Sequence, residues 1–203
     1  MYVPKHFKVI DVDEVIEFIR ENAFGIVVST DKNRPTATHL PLQVYKRDEQ
    51  YFITGHFAYG NEQWKTLENS VEEILIIFEG PHAYISSSWY NHENVSTWNY
   101  QAVHVYGRAR ILSEDELIED LKALTEKYEH GRDNPVLWEN MSEKTRQQFK
   151  GVVGFEIEIS EVQAAYKLSQ NRDSEDYDNI IHKLEAESDA GARRVADVMK
   201  KRK

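Results

Sequence analysis

The chain has 203 residues, 40% of them hydrophobic and 30% charged, with a formal net charge of −10. That balance supports a packed core under a solvated surface and excludes a disordered chain, while the negative charge opposes whole-surface attraction to nucleic acid. The absence of cysteine excludes disulfides, thiolate catalysis and Cys-based zinc sites.

Residues 12–19 place Val12, Val15, Ile16 and Ile19 at helical spacing behind Asp11 as a cap, so an amphipathic helix opens the fold. Phe24 to Thr30 is a β-branched run, Asp31 to Pro35 a turn, and Thr36 to Tyr45 a second strand. Within that strand Pro41 cannot donate to a ladder, which puts it at an edge or a bulge. A polar loop at 46–50 leads to a third strand from Tyr51 to Phe57, and connections this short make the pairing antiparallel. A short helix is expected over Asn61–Glu68. The apolar run Ile74 to Phe78 predicts a strand buried on both faces, broken by Gly80-Pro81. Further strands are expected at 83–85 and 97–112. Ser113 to Glu116 is a capping box for a helix bearing Leu117, Leu121, Leu124 and Tyr128, which ends near Gly131. After a polar stretch, Val152 to Ile159 alternates as a half-exposed strand that Val162 to Leu168 extends or pairs with. Two helical stripes close the chain, Tyr177 to Leu184 and Ala192 to Met199. The expected class is mainly β with peripheral helices, about seven strands in a closed or nearly closed antiparallel sheet. Residues 1–170 form the barrel domain and 171–203 a C-terminal helical appendage. No stretch approaches the roughly 20 apolar residues of a membrane span, and residues 1–10 lack a hydrophobic signal core, so a soluble, cytoplasmic protein is expected.

Four segments carry more polar and aromatic chemistry than a core strand requires. In Thr36 to Leu42, Thr38 and His39 fall on opposite faces of an extended chain. Gly55-His56-Phe57-Ala58-Tyr59-Gly60-Asn61 runs on to Trp64, a strand-to-helix junction where small residues allow close approach of an anion to the backbone. Between Trp89 and Tyr100, aromatic side chains including Trp98 alternate with serine and asparagine, Asn99 among them. This composition suits a flat heteroaromatic ligand or an oligomer interface. In the fourth, Lys167 to Arg172, two cations bracket a hydroxyl and amides, as in an anion-binding or interface-closing turn. The eight histidines show no HxH or HExxH spacing, and no GxSxG, P-loop or GxGxxG occurs, so no metal ligands or catalytic residues are nominated.

Taken in order, Met1 to Phe7, Ala37 to Leu42, Gly55 to Trp64, Gly80 to Ser86 with Trp89-Tyr90, Thr97 to Tyr100, Ala102 to Gly107 and Lys167 to Asn171 resemble the PaiB family. The resemblance implies an FMN-binding split β-barrel of the pyridoxamine-phosphate-oxidase type. It also implies a homodimer and negative regulation of transcription in protease production and sporulation. By analogy with related barrels, Thr38, His39, Gly55, His56, Phe57 and Ala58 would face the flavin. Asn61 and Trp64 would stand at its rim, and Trp98 and Asn99 would complete the cleft. The family usually has arginine where this chain has Tyr59, and proline at Ser87 and near Ser96. Direct contact with DNA would fall to the basic tail, Arg193-Arg194 and Lys200 to Lys203; otherwise regulation passes through a protein partner. The alternatives are an FMN-dependent oxidoreductase and a haem-binding barrel protein with His39 or His56 as ligand.

Overall fold

The computed structural model describes residues 1–68 and 72–203. Its strands are β1 (Lys8–Val9), β2 (Phe24–Asp31), β3 (Arg34–Pro41), β4 (Gln43–Arg47), β5 (Gln50–Ala58), β6 (Ile74–Ile85), β7 (Thr97–Ile111) and β8 (Val152–Lys167). The helices are α1 (Val12–Glu21), α2 (Trp64–Glu68), α3 (Glu114–Glu129), α4 (Glu143–Arg146), α5 (Ser174–Ala186) and α6 (Ala190–Lys201). The strand order is β3-β2-β6-β7-β8-β5-β4, with β1 beside β8. The pairings β2–β3, β2–β6, β4–β5, β5–β8 and β1–β8 are antiparallel.

Among the described residues the count is eight strands, not seven: β1 is added, the strands expected at 74–78 and 83–85 are one, and the single strand expected over 36–45 is two. Leu42 divides it. Its side chain is buried and its N–H donates to the Ala23 carbonyl at 2.8 Å, outside either strand ladder. The chain thereby leaves β2, the partner of β3, and joins β5, the partner of β4. Pro41 ends an edge strand, as its missing donor requires. Lys32 and Asn33 both take positive φ, 47° and 66°, the geometry of a two-residue type I′ hairpin.

Gly80-Pro81 does not break β6, which runs unbroken to Ile85. A Cβ on Gly80 would come within 2.7 Å of the Phe18 ring, so the glycine admits that ring to the strand instead of turning the chain. The stretch Ile74 to Phe78 alternates between buried and half-buried positions, so one of its faces is packed more loosely than expected. β8 is continuous through residue 160, and α2 begins at Trp64 rather than Asn61. The capping box at Ser113 and Glu116 is formed.

Two compact units interleave along the chain, and β6, β7 and β8 contribute to both. One holds residues 1–22, 78–104 and 162–203. Its core gathers Ile19, Ile85, Ile180, Leu184, Val195 and Met199, with Phe18 packed on Tyr166 at 5.3 Å. The other holds residues 23–77 and 105–161, of which 69–71 lie outside the described residues. It is built on Val27, Leu42, Ile53, Phe57, Ile76 and Phe155.

Candidate functional site

In the unit of residues 23–77 and 105–161, a buried glutamine organises the start of α2. Gln63 is 4% exposed, and its Nε2 donates to the Val27 carbonyl at 3.0 Å and to Ser29 Oγ at 3.1 Å. Its Oε1 accepts from Thr38 Oγ1 at 2.6 Å, and Asn61 Nδ2 donates to that same hydroxyl at 2.9 Å. Asn61 Oδ1 in turn accepts from the Gln63 N–H at 3.1 Å. Thr38 and Asn61, two of the residues expected at the site, are thus brought together. Sequence reading missed Gln63, which joins them, although a glutamine one residue before an aromatic helix start was visible. A cavity of about 520 Å³ opens beside the network, lined by Thr36, Asn61 and Gln63, with Arg34 as its cation and Asp31 and Glu62 as its carboxylates.

Two aromatic planes stand open in the same unit. Tyr59, 63% exposed, stacks on Trp64 at 5.9 Å and 28°. Trp64 Nε1 donates to the Tyr59 carbonyl at 3.1 Å, which fixes the indole against the end of β5. Phe24, 66% exposed, stacks with His39 at 6.0 Å across the β2–β3 pair. The Tyr59–Trp64 pair, held by that backbone contact, loses little side-chain freedom on meeting a flat ligand or a partner surface.

The remaining expected residues of this unit divide between the faces of β5. Gly55 and Phe57 point into the core: a Cβ on Gly55 would meet Leu42 at 2.7 Å, and Phe57 packs on Phe155 at 5.0 Å. His56 and Ala58 occupy the other face. There His56 Nδ1 and Asp120 Oδ2 are buried without a hydrogen-bond partner among the described residues. Burial lowers the His56 pKa, and the Asp120 carboxylate partly offsets that. Burial raises the pKa of Asp120, against the hydrogen bonds it accepts from Thr54 Oγ1 and, at 2.9 Å, from Gln43 Nε2.

Glu156 was expected on the open side of a half-exposed strand, yet it is 4% exposed. Tyr45 Oη donates to it, Arg47 reaches both of its oxygens at 3.2 and 3.3 Å, and Arg110 Nε donates at 2.9 Å. Burial alone would raise its pKa, but these three donors outweigh burial and hold it below the ordinary value. Asp120 follows Leu117 by three positions on the expected apolar stripe of α3, the one sequence sign that a carboxylate there turns inward.

Trp98 and Asn99 belong to the other unit. Trp98, 46% exposed, stacks with His82 at 5.8 Å and meets Tyr84 edge-on at 6.1 Å. Asn99 is fully buried and exchanges hydrogen bonds with Ser169 at 3.0 and 3.1 Å. It therefore braces the Lys167–Arg172 turn, in which Ser169 takes a φ of 60°. Three of the six cations of the basic tail are paired with carboxylates: Lys200 with Glu185, Arg202 with Glu14 and Lys203 with Asp178. Among the described residues no helix is long and apolar enough to cross a membrane, and no group of three His, Asp or Glu side chains is placed to hold a metal ion.

Comparison with known proteins supplies the family context. The family described as "Putative FMN-binding domain" matches residues 1–161. The "Protease synthase and sporulation protein PAI 2" of Bacillus subtilis is 56% identical over 200 residues, covering 98% of this chain and 96% of that protein. Among solved structures, the flavocytochrome Anf3 of Azotobacter vinelandii superposes with a TM-score of 0.62 at 18% identity, over 87% of this chain and 78% of that one. The FAD and heme binding protein of Mycobacterium smegmatis gives 0.60 at 13% identity, over 79% and 73%. The mainly antiparallel sheet with flanking helices is of the split-barrel class.

Proposed function

The chain belongs to the PaiB family, and from that footing we propose that it is a flavin-binding negative regulator of the protease and sporulation type, acting in the cytoplasm as a homodimer. One observation carries the reading: two open, stacked aromatic planes stand in the same unit as an ordered polar network. The Tyr59–Trp64 and Phe24–His39 planes fit an isoalloxazine ring. Thr38 and Asn61 fit the polar side of FMN, and Arg34 is the cation available to its phosphate in the adjoining cavity. Tyr59 offers a ring plane where the family usually has a guanidinium, so the phosphate would be held by one cation instead of two. Gly55, His56, Phe57 and Ala58 would serve by setting the course of β5. When bound, flavin would supply electron-transfer chemistry, which the protein need only position.

The exposed Trp98, His82 and Tyr84 face suits a second copy, since aromatic side chains dominate interface hot spots. Pairing of half of the basic tail with carboxylates, in a chain of net charge −10, favours regulation through a protein partner over direct contact with DNA.

An absorption spectrum of the purified protein, before and after incubation with FMN, tests the reading. Flavin bands that saturate with added FMN and weaken in Trp64→Ala are expected. A colourless protein with an unchanged spectrum overturns flavin binding. Bleaching of the bands by a reduced nicotinamide would move the reading to an FMN-dependent oxidoreductase. Light scattering should give twice the 23.8 kDa chain mass, and a monomer mass rules out the dimer.

A further inference from the structure

In the unit of residues 1–22, 78–104 and 162–203, a cavity of about 470 Å³ is lined from two separate stretches of chain, residues 6–9 and residues 168–203. Most of that lining lies beyond residue 161, where the FMN-binding domain match ends. Five basic side chains border it, His6, Lys8, Arg172, Arg202 and Lys203, in a chain whose net charge is −10.

Charge pairing separates these five into two groups. Arg202 and Lys203 are bound to Glu14 and Asp178. Lys8, His6 and Arg172 have no carboxylate partner among the described residues, and Lys8 and His6 are exposed. The Arg172 guanidinium lies 4.8 Å from the centroid of the Tyr90 ring, a contact that orients it without neutralising it. Nearby, Lys167 donates to Thr97 Oγ1, and burial, with the Arg172 charge second, lowers the pKa of its amine. Two carboxylates line the cavity: Asp178 is taken up by Lys203, while Asp173, which accepts the Asp176 N–H at 2.9 Å, keeps its charge. Positive charge in this corner is therefore in excess, with Lys8 and Arg172 set against Asp173 alone.

We propose that this cavity binds a small phosphorylated anion carrying more than one negative charge, with Lys8 and Arg172 as its principal contacts. Two unpaired cations, Lys8 and Arg172, converging on one concavity beside the His6 imidazole suit a compact polyanion better than a duplex backbone, which the surrounding net negative charge repels. The volume lies within the range of small-molecule sites, and Phe7, Leu168 and Tyr177 give the cavity an apolar wall against which the non-phosphate part of a nucleotide would lie.

The full chain can be titrated calorimetrically at low salt with tripolyphosphate and, separately, with ATP. Saturable binding is expected for both. It should weaken at least tenfold in the Lys8→Gln, Arg172→Gln double variant and recover in part in Lys8→Gln, Arg172→Lys. Tighter binding of ATP than of tripolyphosphate identifies a nucleotide; equal binding identifies the bare phosphate chain. Both support the site. Absence of saturable heat with either probe overturns it, as does binding that the double variant leaves unchanged. Preferential binding of a DNA duplex that competes with both probes would also overturn it, in favour of a nucleic-acid surface. Lys8→Gln alone decides the matter should loss of Arg172 impair folding, because Lys8 is exposed. Flavin absorbance measured in the same variants should not change. Its loss there would merge this cavity with the flavin site and overturn a separate site.

Discussion

A Cβ built on Gly107 would lie 2.2 Å from the Glu158 carbonyl oxygen and 2.7 Å from Ile157 Cγ2, so β7 and β8 approach there at a distance only glycine permits. A backbone carbonyl cannot rotate away as a side chain can. Gly107→Ala should therefore fall at the upper end of the ~1–3 kcal/mol cost of overpacking, read as a lowered urea midpoint. Gly60, with nothing within 4 Å of its ideal Cβ, is the matched control. Gly60→Ala should change stability by less than about 0.5 kcal/mol, and equal losses at the two positions would refute the steric reading.

The buried polar residues of the same unit give a prediction in pH. Burial depresses the folded-state pKa of His56 below its ordinary 6.5. Its contribution to stability is therefore complete above that ordinary value and is lost as pH falls through the folded one. The Asp120 charge opposes the depression, so Asp120→Asn should lower the His56 pKa further, as followed by NMR titration of its ring protons. A rise would mean that Asp120 does not act on His56. Glu156, also depressed, contributes fully above about 4.5 and loses that contribution as acid protonates the folded state. Glu156→Gln should thus flatten the fall in stability below about 4.5, while leaving Tyr45, Arg47 and Arg110 with a weaker acceptor.

Among elements, α2 has five residues and is too short to persist alone. Gln63 fastens its start to β2 and β3, so Gln63→Ala leaves the half-buried Thr38 hydroxyl and the Val27 carbonyl short of partners. A loss of about 1–3 kcal/mol in chemical denaturation is expected. Weaker FMN binding should accompany it if the Thr38–Asn61 edge meets the ligand. The hairpins were legible because their signals are local: Lys32-Asn33 must turn with positive φ, and Ser113 with Glu116 closes its own capping box. The missed features depend on distant contacts. Gly80-Pro81 reads as a break until Phe18 is known to fill the space a Cβ would take. Likewise Thr36 to Tyr45 reads as one strand until Ala23 claims the Leu42 N–H. Glu156 reads as exposed because alternation along β8 cannot reveal that Tyr45 and Arg47 on β4 and Arg110 on β7 cover it. Thr38 and Asn61 were named through the family resemblance, and their link through Gln63, like the inward roles of Phe57 and Asn99, required the packing itself.

At the scale of the whole molecule, the sequence suggests that residues 171–203 form a helical appendage, and a truncation tests whether they can be removed. Ile180, Leu184, Val195, Ala196 and Met199 on α5 and α6 are fully buried. Asp176 accepts the Asn91 N–H at 2.9 Å, Asn179 donates to the Trp89 carbonyl, and Tyr177 Oη donates to the Met199 carbonyl at 2.9 Å. The first two bonds secure the aromatic segment near Trp89 to α5 and the third ties α5 to α6, within the unit that also holds residues 1–22. Removing the burial of Ile180, Leu184, Val195 and Met199, each contributing roughly 1.5–3 kcal/mol, and uncovering the core beneath them costs an amount of the same order as the 5–15 kcal/mol by which a domain is ordinarily stable. A chain ending at residue 170 should accordingly lose cooperative unfolding and bind a hydrophobic dye. A sharp, near-native transition in that fragment would show a true appendage, and the buried faces of α5 and α6 would then need a different explanation.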